Sequence, residues 1–335
     1  MDSLIFFFGL LFGFILQYAR LNKFNTISGL VMRKDFTVAK AIMAAIGAGA
    51  ILFGLELAAG GASLHVKPFI LGGVILGGII FGIGMALLGY CPGTLPVSAG
   101  EGSLDAFVGI AGGLTAGFVF AIISPLIQPI LGKNLGAVSL HSLIGGSSAL
   151  YLILIIVWGI GLIGFSLWIH KKEKAKNYKW LISGIALSVL AAVIFSKFVF
   201  NRPLGASTSY PYTAGSIVGL TDNDYFLTTL VSGHWELIFL LGAFTAGFIG
   251  ALFTKSFKFR LIHENWAEQK GRNALKRIIY AFAGGFLIIF GARMSGGCTS
   301  GHIISGGMQM AVSSYVFAGF VFASLLITGK LFYKK

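Results

Sequence analysis

Long apolar stretches constrain this chain more than any other feature. Of its 335 residues, 56% are hydrophobic and only 11% are charged, whereas soluble domains carry roughly 25% charged residues. A chain this poor in charge cannot cover its surface with polar groups, so we expect a lipid bilayer to surround much of it. Runs long enough to cross a hydrocarbon core as helices recur along the chain. We predict nine, at residues 3–19, 37–60, 68–90, 104–127, 145–169, 180–200, 232–254, 278–296 and 311–329.

The connections between these runs differ in charge. Those after the first, fifth, seventh and ninth runs hold 20 of the 25 basic residues. By the positive-inside rule these connections face the cytoplasm, so the N-terminus is predicted outside and the C-terminus inside. We attribute the net charge of +14 to this topology and to attraction of an anionic substrate. Nucleic acid is not an expected partner, because the charges are scattered over separate loops.

The only two cysteines lie in glycine-bracketed segments that are copies of each other. With a constant offset of 207 residues, Cys91 falls on Cys298, and several glycines of one segment fall on glycines of the other. One copy ends the third run and the other ends the eighth, so they cross the membrane in opposite directions. This pattern predicts an inverted-topology repeat with pseudo-symmetric halves at 1–170 and 171–335, within one integral membrane domain.

A short stretch rich in Gly, Ser and Thr follows each cysteine, at 92–102 and 299–310. Such backbone is tolerated in a bilayer only where protein buries it or where it lines a polar cavity. We predict re-entrant half-helices that dip toward the membrane centre, with simple interfacial turns as the alternative. Segments 24–29 and 202–212 follow the first and sixth runs, and an ordinary surface loop is the alternative for the latter. The predicted fold is therefore an all-α hourglass of about nine transmembrane helices with re-entrant short helices or loops.

Three segments carry a resemblance to a known family. Residues 289–302, 89–94 and 202–206 resemble the YeeE/YedE family of bacterial integral membrane proteins, which are associated with uptake of thiosulfate and related sulfur compounds. The resemblance spans essentially the whole chain. It implies an hourglass in the bacterial cytoplasmic (inner) membrane whose waist cysteines, here Cys91 and Cys298, pass thiosulfate along.

The chain departs from the family pattern in its first short segment. Family members often carry a further cysteine there in a Phe-Cys pattern, whereas this chain has Phe24 and Asn25. An amide can hydrogen-bond an anion but cannot perform thiol chemistry, so this departure argues against a three-cysteine relay. Similar systems also imply a small cytoplasmic sulfur-carrier protein as the receiver.

A sulfur oxyanion such as thiosulfate has a charged sulfonate end and a soft terminal sulfur. Its negative charge must be compensated inside the bilayer. Half-helix N-termini and hydroxyl groups supply suitable hydrogen-bond donors. Thiols add a polarisable contact that holds a soft anion only weakly. Besides the cysteine relay, the predicted substrate-binding or pore-lining residues are Asn25, Thr26, Gly93, Thr94, Ser207, Thr208, Ser209, Arg293, Thr299, Ser300, Gly301 and His302.

Several of these residues have a structural alternative. Arg293 either binds the anion or has a packing role in the repeat, with its guanidinium snorkelling or hydrogen-bonded to backbone carbonyls. His302 either contacts substrate and moves protons, or caps a helix. The acidic residues at predicted span ends either couple transport to protons or act as caps and anchors; they are Glu56, Glu101, Asp105 and Glu236.

No cofactor or metal is predicted. The chain lacks a phosphate-binding P-loop, and Cys298 with His302 falls short of a metal ligand set. We therefore predict a transporter and not an enzyme. Two alternatives remain: a membrane thiol or sulfur-transfer enzyme, and a passive channel for another small anion or for a selenium or sulfur species.

Overall fold

The computed structural model describes residues 1–333, and this range is built of helices. The helices are α1 (Asp2–Tyr18), α2 (Phe24–Val31), α3 (Thr37–Ala58), α4 (Leu71–Leu88), α5 (Thr94–Gly100), α6 (Leu104–Leu131), α7 (Leu140–Leu143), α8 (Ser148–Lys172), α9 (Lys179–Phe195), α10 (Ser209–Val218), α11 (Asp224–Phe253), α12 (Glu264–Lys270), α13 (Ala274–Met294), a π-helix (Thr299–Gly306) and α14 (Val312–Phe332).

Seven of these helices are long and apolar enough to cross a membrane, namely α3, α4, α6, α8, α11, α13 and α14. Helices α1 and α9 are apolar but have 17 residues each, which gives about 25 Å against a hydrocarbon core of about 30 Å. These nine helices lie on the nine predicted runs, and the helical membrane fold is confirmed. A short helix follows the first, third, sixth and eighth of them, where the sequence predicts short segments.

Two predicted boundaries were wrong for identifiable reasons. Helix α11 begins at Asp224, eight residues before the predicted span, because the side chain of Asn223 accepts hydrogen bonds from the first backbone amides and caps the helix. Helix α9 ends at Phe195 and does not continue to residue 200. The chain leaves the helix there because the amide of Lys197 donates to the carbonyl of Gly61.

The connections gather at two ends of the bundle. One we call the basic end. There, connections and helix ends are joined by the salt bridges Lys23–Glu101 and Lys40–Glu173 and by a backbone bridge between Ser103 and Arg260. At the other, which we call the opposite end, the backbone bridges are Ala62–Ser196, Ile70–Asn134 and Ser139–Ala311. The short segments come from the two ends in pairs: α2 and α5 from the basic end, α10 and the π-helix from the opposite end.

Helices α4 and α13 cross as antiparallel neighbours along glycines. Gly77 lies against Gly291, and Gly84 lies against Gly284. The offset of 207 residues relates Gly77 to Gly284 and Gly84 to Gly291, so the repeat exchanges one contact for the other. A pseudo-two-fold axis therefore passes between the two helices. Contacts elsewhere follow the same symmetry: α4 packs on α14 as α13 packs on α6, and α1 packs on α11 as α9 packs on α3.

The two repeats interlock because α1 and α3 of one pack against α11 and α9 of the other. Helix α8 lies outside the symmetric helix pairs just described. It packs on α3 at the periphery of the bundle, and only 17% of its most apolar stretch is buried. The predicted division at 170/171 falls in the last turn of α8 and stays a prediction.

The glycine crossing predicts the effect of a single substitution. In Gly291→Val, the new Cβ would lie 2.5 Å from the carbonyl oxygen of Gly77, so we expect destabilisation by about 1–3 kcal/mol. Gly161→Val on α8 is the matched control, because nothing lies within 4 Å of its added Cβ. Thermal unfolding in detergent measures both variants. Equal melting temperatures for the two variants would contradict the packing role of the crossing.

Candidate functional site

A cavity of about 60 Å³ lies between the two cysteine-bearing segments. Cys91, Gly93 and Thr94 line it from one segment, and Thr299 and Ser300 line it from the other. The structure thus brings five predicted site residues to one place. The remaining wall is apolar and includes side chains of α1, α2, α3, α9 and the π-helix; it consists of Phe12, Leu16, Leu21, Ile27, Val38, Ala41, Ile42, Met85, Leu187 and Ile304.

The Cys91 segment is held by a local hydrogen-bond ring. Helix α4 stops at Gly89, whose φ of 79° ends the helix in the left-handed region. The hydroxyl of Thr94 accepts from the amide of Cys91 at 2.9 Å and lies 3.1 Å from the carbonyl oxygen of Cys91. The same hydroxyl lies 3.4 Å from Sγ of Cys91. The thiol is free and Cys91 is partly exposed, so the thiol can contact an anion in the cavity.

Cys298 occupies the equivalent place in the second repeat. Its thiol is free, 1% exposed, and 3.1 Å from the hydroxyl of Ser300. Eight residues of π-helix follow it, from Thr299 to Gly306, where the sequence predicts a re-entrant half-helix. π-Helical turns are rare and occur frequently at functional sites. Thr299 and Ser300 line the cavity, whereas Cys298 is buried and does not line it.

The side chain of His302 is fully buried and doubly hydrogen-bonded. One ring nitrogen lies 2.8 Å from the carbonyl oxygen of Ser295, and the other lies 3.0 Å from the hydroxyl of Ser314. The ring also stacks on Phe317 at 4.8 Å. With both nitrogens engaged, this geometry fits the capping interpretation of His302 better than direct substrate contact.

Arg293 joins the second repeat's helix to the hydroxyl-rich segment before α10. Its guanidinium donates to the hydroxyls of Thr208 at 3.0 Å and Ser207 at 3.3 Å. Its Nε donates to the hydroxyl of Tyr225 at 2.6 Å. The predicted residues Arg293, Ser207 and Thr208 are therefore in one cluster, toward the opposite end from the basic connections.

A carboxylate already occupies the N-terminus of α10. Glu236 accepts from the amides of Thr208 at 2.5 Å and Ser209 at 3.2 Å. The hydroxyl of Ser209 donates to the carbonyl of Ala206. The N-terminus of α10 is thus capped by Glu236, and the hydroxyl of the predicted site residue Ser209 is bonded to the backbone.

Two further cations lie beside Arg293. The ammonium of Lys67 donates to the carbonyl of Gly296 at 2.5 Å. The guanidinium of Arg202 stacks 4.1 Å from the ring centre of Trp235. Nε of Arg202 and the indole nitrogen of Trp235 are both buried without a partner. Lys67, Arg202 and Arg293 are all close enough to Glu236 for electrostatic attraction. We call this cluster of three cations and one carboxylate the vestibule.

Sequence reasoning assigned no substrate role to Lys67. The sequence nevertheless distinguishes Lys67, because it is one of the few basic residues on the connections that are poor in basic residues. The loop between α3 and α4 brings it to Gly296, two residues before Cys298.

A buried ion pair fixes the Cys91 segment from the basic end. Arg277 and Asp105 are fully buried, and their closest atoms are 2.5 Å apart. Arg277 also donates to the carbonyl of Leu88 at 2.7 Å, at the end of α4. His263 lies 3.1 Å from Asp105 and 3.0 Å from the hydroxyl of Tyr90. This geometry favours the anchor interpretation of Asp105, because the network holds the residue directly before Cys91.

Asn25 does not line the cavity. Its amide donates to Glu264 at 3.1 Å and accepts from the amide of Asn265 at 3.2 Å. Asn265 also donates to the backbone carbonyl of Asn25 and to the hydroxyl of Ser28, both at 2.9 Å. Ile27 of the same helix lines the cavity instead. Residues two apart in an α-helix lie on nearly opposite faces, so Asn25 is turned toward α12.

The remaining predicted residues lie near the cavity without lining it. Thr26 is 8% exposed within α2. Gly301 lies in the π-helix, where an added Cβ would meet the side chain of Lys67 at 3.3 Å. Their substrate contacts, like the substrate role of Asn25, stay predictions.

The contacts between α2 and α12 predict that Asn265→Ala loosens the basic-end wall of the cavity. Each hydrogen bond lost is worth about 1 kcal/mol, so opening of α2 should become roughly fivefold more frequent per bond. The measurement is the alkylation rate of Cys91 by a small hydrophilic maleimide, in detergent and in a Cys298→Ser background. Asn177→Ala, on the exposed α8–α9 connection, is the control. An unchanged rate in Asn265→Ala would show that these contacts do not close the cavity.

Comparison with known proteins identifies the family of this chain. The sequence profile of the family described as "Sulphur transport" matches residues 20–327. A protein of Spirochaeta thermophila named thiosulfate transporter TsuA is 25% identical over 337 residues, covering 92% of each chain. An Escherichia coli K12 protein of the same name is 24% identical over 313 residues, covering 88% of this chain and 84% of the relative. The chain belongs to the sulphur transport family, as its duplicated cysteine segments indicated.

Proposed function

We propose that this protein takes up thiosulfate, or a closely related small sulfur-containing anion, across the cytoplasmic membrane through the cavity beside Cys91 and Cys298. The observation that carries the proposal is that the two copies of the cysteine segment line one cavity from opposite directions. The names of the two relatives support this substrate. The charge asymmetry supports an orientation with the basic end in the cytoplasm, the N-terminus outside and the C-terminus inside.

Capture begins at the vestibule of Lys67, Arg202 and Arg293. A dianion loses hydration as it leaves water, and these cations and the unpaired N–H of Arg202 offset that loss. Glu236 reduces the net charge of the vestibule. The anion is therefore attracted but not held tightly, which is what permeation through successive sites requires.

Passage through the waist uses thiols and hydroxyls. Sγ of Cys298 and the hydroxyl of Ser300 form one polar pair, and Sγ of Cys91 and the hydroxyl of Thr94 form the other. The Cys91 pair presents a soft sulfur and a hydroxyl to the cavity, and the Cys298 pair presents the hydroxyl of Ser300, with the buried sulfur 3.1 Å from it. Together these groups suit the two ends of thiosulfate. The anion moves from the Cys298 pair to the Cys91 pair without a covalent bond, and neither thiol is consumed.

The basic-end wall closes the cavity in this state. Leu21 and Ile27 form part of that wall, and α12 holds α2 against it through Asn265. Release to the cytoplasm therefore requires α2 to move. A small sulfur-carrier protein is the proposed receiver on that side.

The relay predicts that Cys91→Ser and Cys298→Ser each reduce uptake. A hydroxyl is less polarisable than a thiol, so we expect a loss of about tenfold or more, which corresponds to about 1.4 kcal/mol in the barrier. Uptake of radiolabelled thiosulfate by a sulfate-uptake-deficient bacterium measures this effect, with growth on thiosulfate as a second readout. Ala111→Ser, on an exposed face of α6, is the control for adding a hydroxyl.

Equal uptake by all variants at matched expression would contradict the relay and leave a channel whose cysteines only pack. Absence of thiosulfate uptake by the unmodified protein, together with uptake of another sulfur or selenium anion, would contradict thiosulfate as the cargo.

The vestibule predicts a separate effect of Lys67→Gln. Removing one cation weakens capture but leaves the waist intact, so the KM for thiosulfate should rise roughly threefold or more while the maximal rate changes little. Lys197→Gln is the matched control, because Lys197 lies at the same end and also donates to a backbone carbonyl. Initial uptake rates over a range of thiosulfate concentrations measure both. Identical KM values in Lys67→Gln and Lys197→Gln would contradict a capture role for Lys67.

A further inference from the structure

A second, larger cavity opens at the basic end, away from the cysteines. It has a volume of about 250 Å³ and lies between the end of α2, α12 and the end of α14. Three cationic residues line it, Arg33, Lys34 and Lys330, and none of its lining residues is acidic. The two cavities are neighbours along α2, since Ile27 lines the cysteine cavity and Val31, one turn later on the same face, lines this one. We call it the basic pocket.

The basic pocket adjoins a surface that faces lipid. On α14, Ile327 is 61% exposed and Leu331 is 73% exposed, and both lie within one turn of Lys330. Exposed aliphatic side chains on a membrane-spanning helix contact acyl chains. Lys330 is therefore at the depth where a membrane helix leaves hydrocarbon for the headgroup region.

The remaining wall combines apolar and polar groups. Val31 and Gly329 are in contact and supply a flat apolar side, and Gln269 supplies an amide. A fully hydrated free oxyanion gains nothing from an apolar wall. A phospholipid can pack its glycerol backbone against that wall while the phosphate reaches the cations.

We propose that the basic pocket binds the phosphate headgroup of an anionic phospholipid of the surrounding bilayer. The guanidinium of Arg33 presents paired N–H donors that match two phosphate oxygens, and Lys34 and Lys330 add charge. Basic pockets beside transmembrane helices on the cytoplasmic side suit such headgroups. A bound lipid would brace the end of α2 against the end of α14, one turn beyond the cysteine cavity. This inference depends on the pocket alone and not on the identity of the cargo.

The test compares lipid binding by two triple variants in mixed micelles. Arg33→Gln/Lys34→Gln/Lys330→Gln removes the pocket cations. Lys171→Gln/Lys174→Gln/Lys176→Gln removes three exposed lysines from the end of α8 and the α8–α9 connection, and it is the matched control. Native mass spectrometry counts bound phosphatidylglycerol against phosphatidylcholine. We expect the pocket variant to lose phosphatidylglycerol affinity by about tenfold or more and the control by less than about twofold.

Free anions form the second arm of the experiment. Inorganic phosphate and thiosulfate, at matched ionic strength, should not displace phosphatidylglycerol from the unmodified protein. Displacement by either anion would overturn the lipid assignment in favour of a free oxyanion site. Equal losses in the two triple variants would overturn the pocket altogether, because general surface charge would then explain binding. Lys330→Gln alone, with a smaller expected loss, keeps the test valid if the triple variant does not fold.

Discussion

The structure depends on the close approach of α4 and α13 along their glycines. Gly77, Gly84, Gly284 and Gly291 let the two backbones touch, and no larger residue fits there without displacing a helix. Lipid provides little hydrophobic force between helices, so such contact supplies much of the attraction that holds a membrane bundle together. Because the crossing coincides with the pseudo-two-fold axis, it also fixes the relation between the two cysteine segments that follow these helices.

Several charged groups inside the bundle are paired with one another, and these pairs position the site. Arg277 neutralises Asp105 and caps the end of α4, so the turn toward Cys91 has one well-defined geometry. Removing one partner of such a pair typically costs about 3–5 kcal/mol. On the other side Glu236 caps α10, which leaves Arg293 to hold the hydroxyls before it. The polar side chains that line the central cavity are then the thiol of Cys91 and the hydroxyls of Thr94, Thr299 and Ser300.

The fold was predictable because its signals are local and repeated. Apolar runs of sufficient length specify helices in lipid, and the copied cysteine segments specified their inverted arrangement. The site was only partly predictable. Cys91, Thr94, Thr299 and Ser300 share a cavity because they follow the symmetric helices, whereas the outward turn of Asn25 depends on α12, some 240 residues later in the chain. Long-range side-chain pairing of this kind leaves no local pattern in one sequence.

The central claim is that a sulfur anion crosses at the cavity between the two cysteine segments. Its most direct test is an anomalous diffraction map of the protein with selenosulfate, whose selenium replaces the terminal sulfur of thiosulfate. The account predicts a selenium peak within contact distance of Sγ of Cys91 or the Cys298–Ser300 pair. A peak found only at the basic end or among the lipid-facing helices, with the central cavity unchanged, would contradict it.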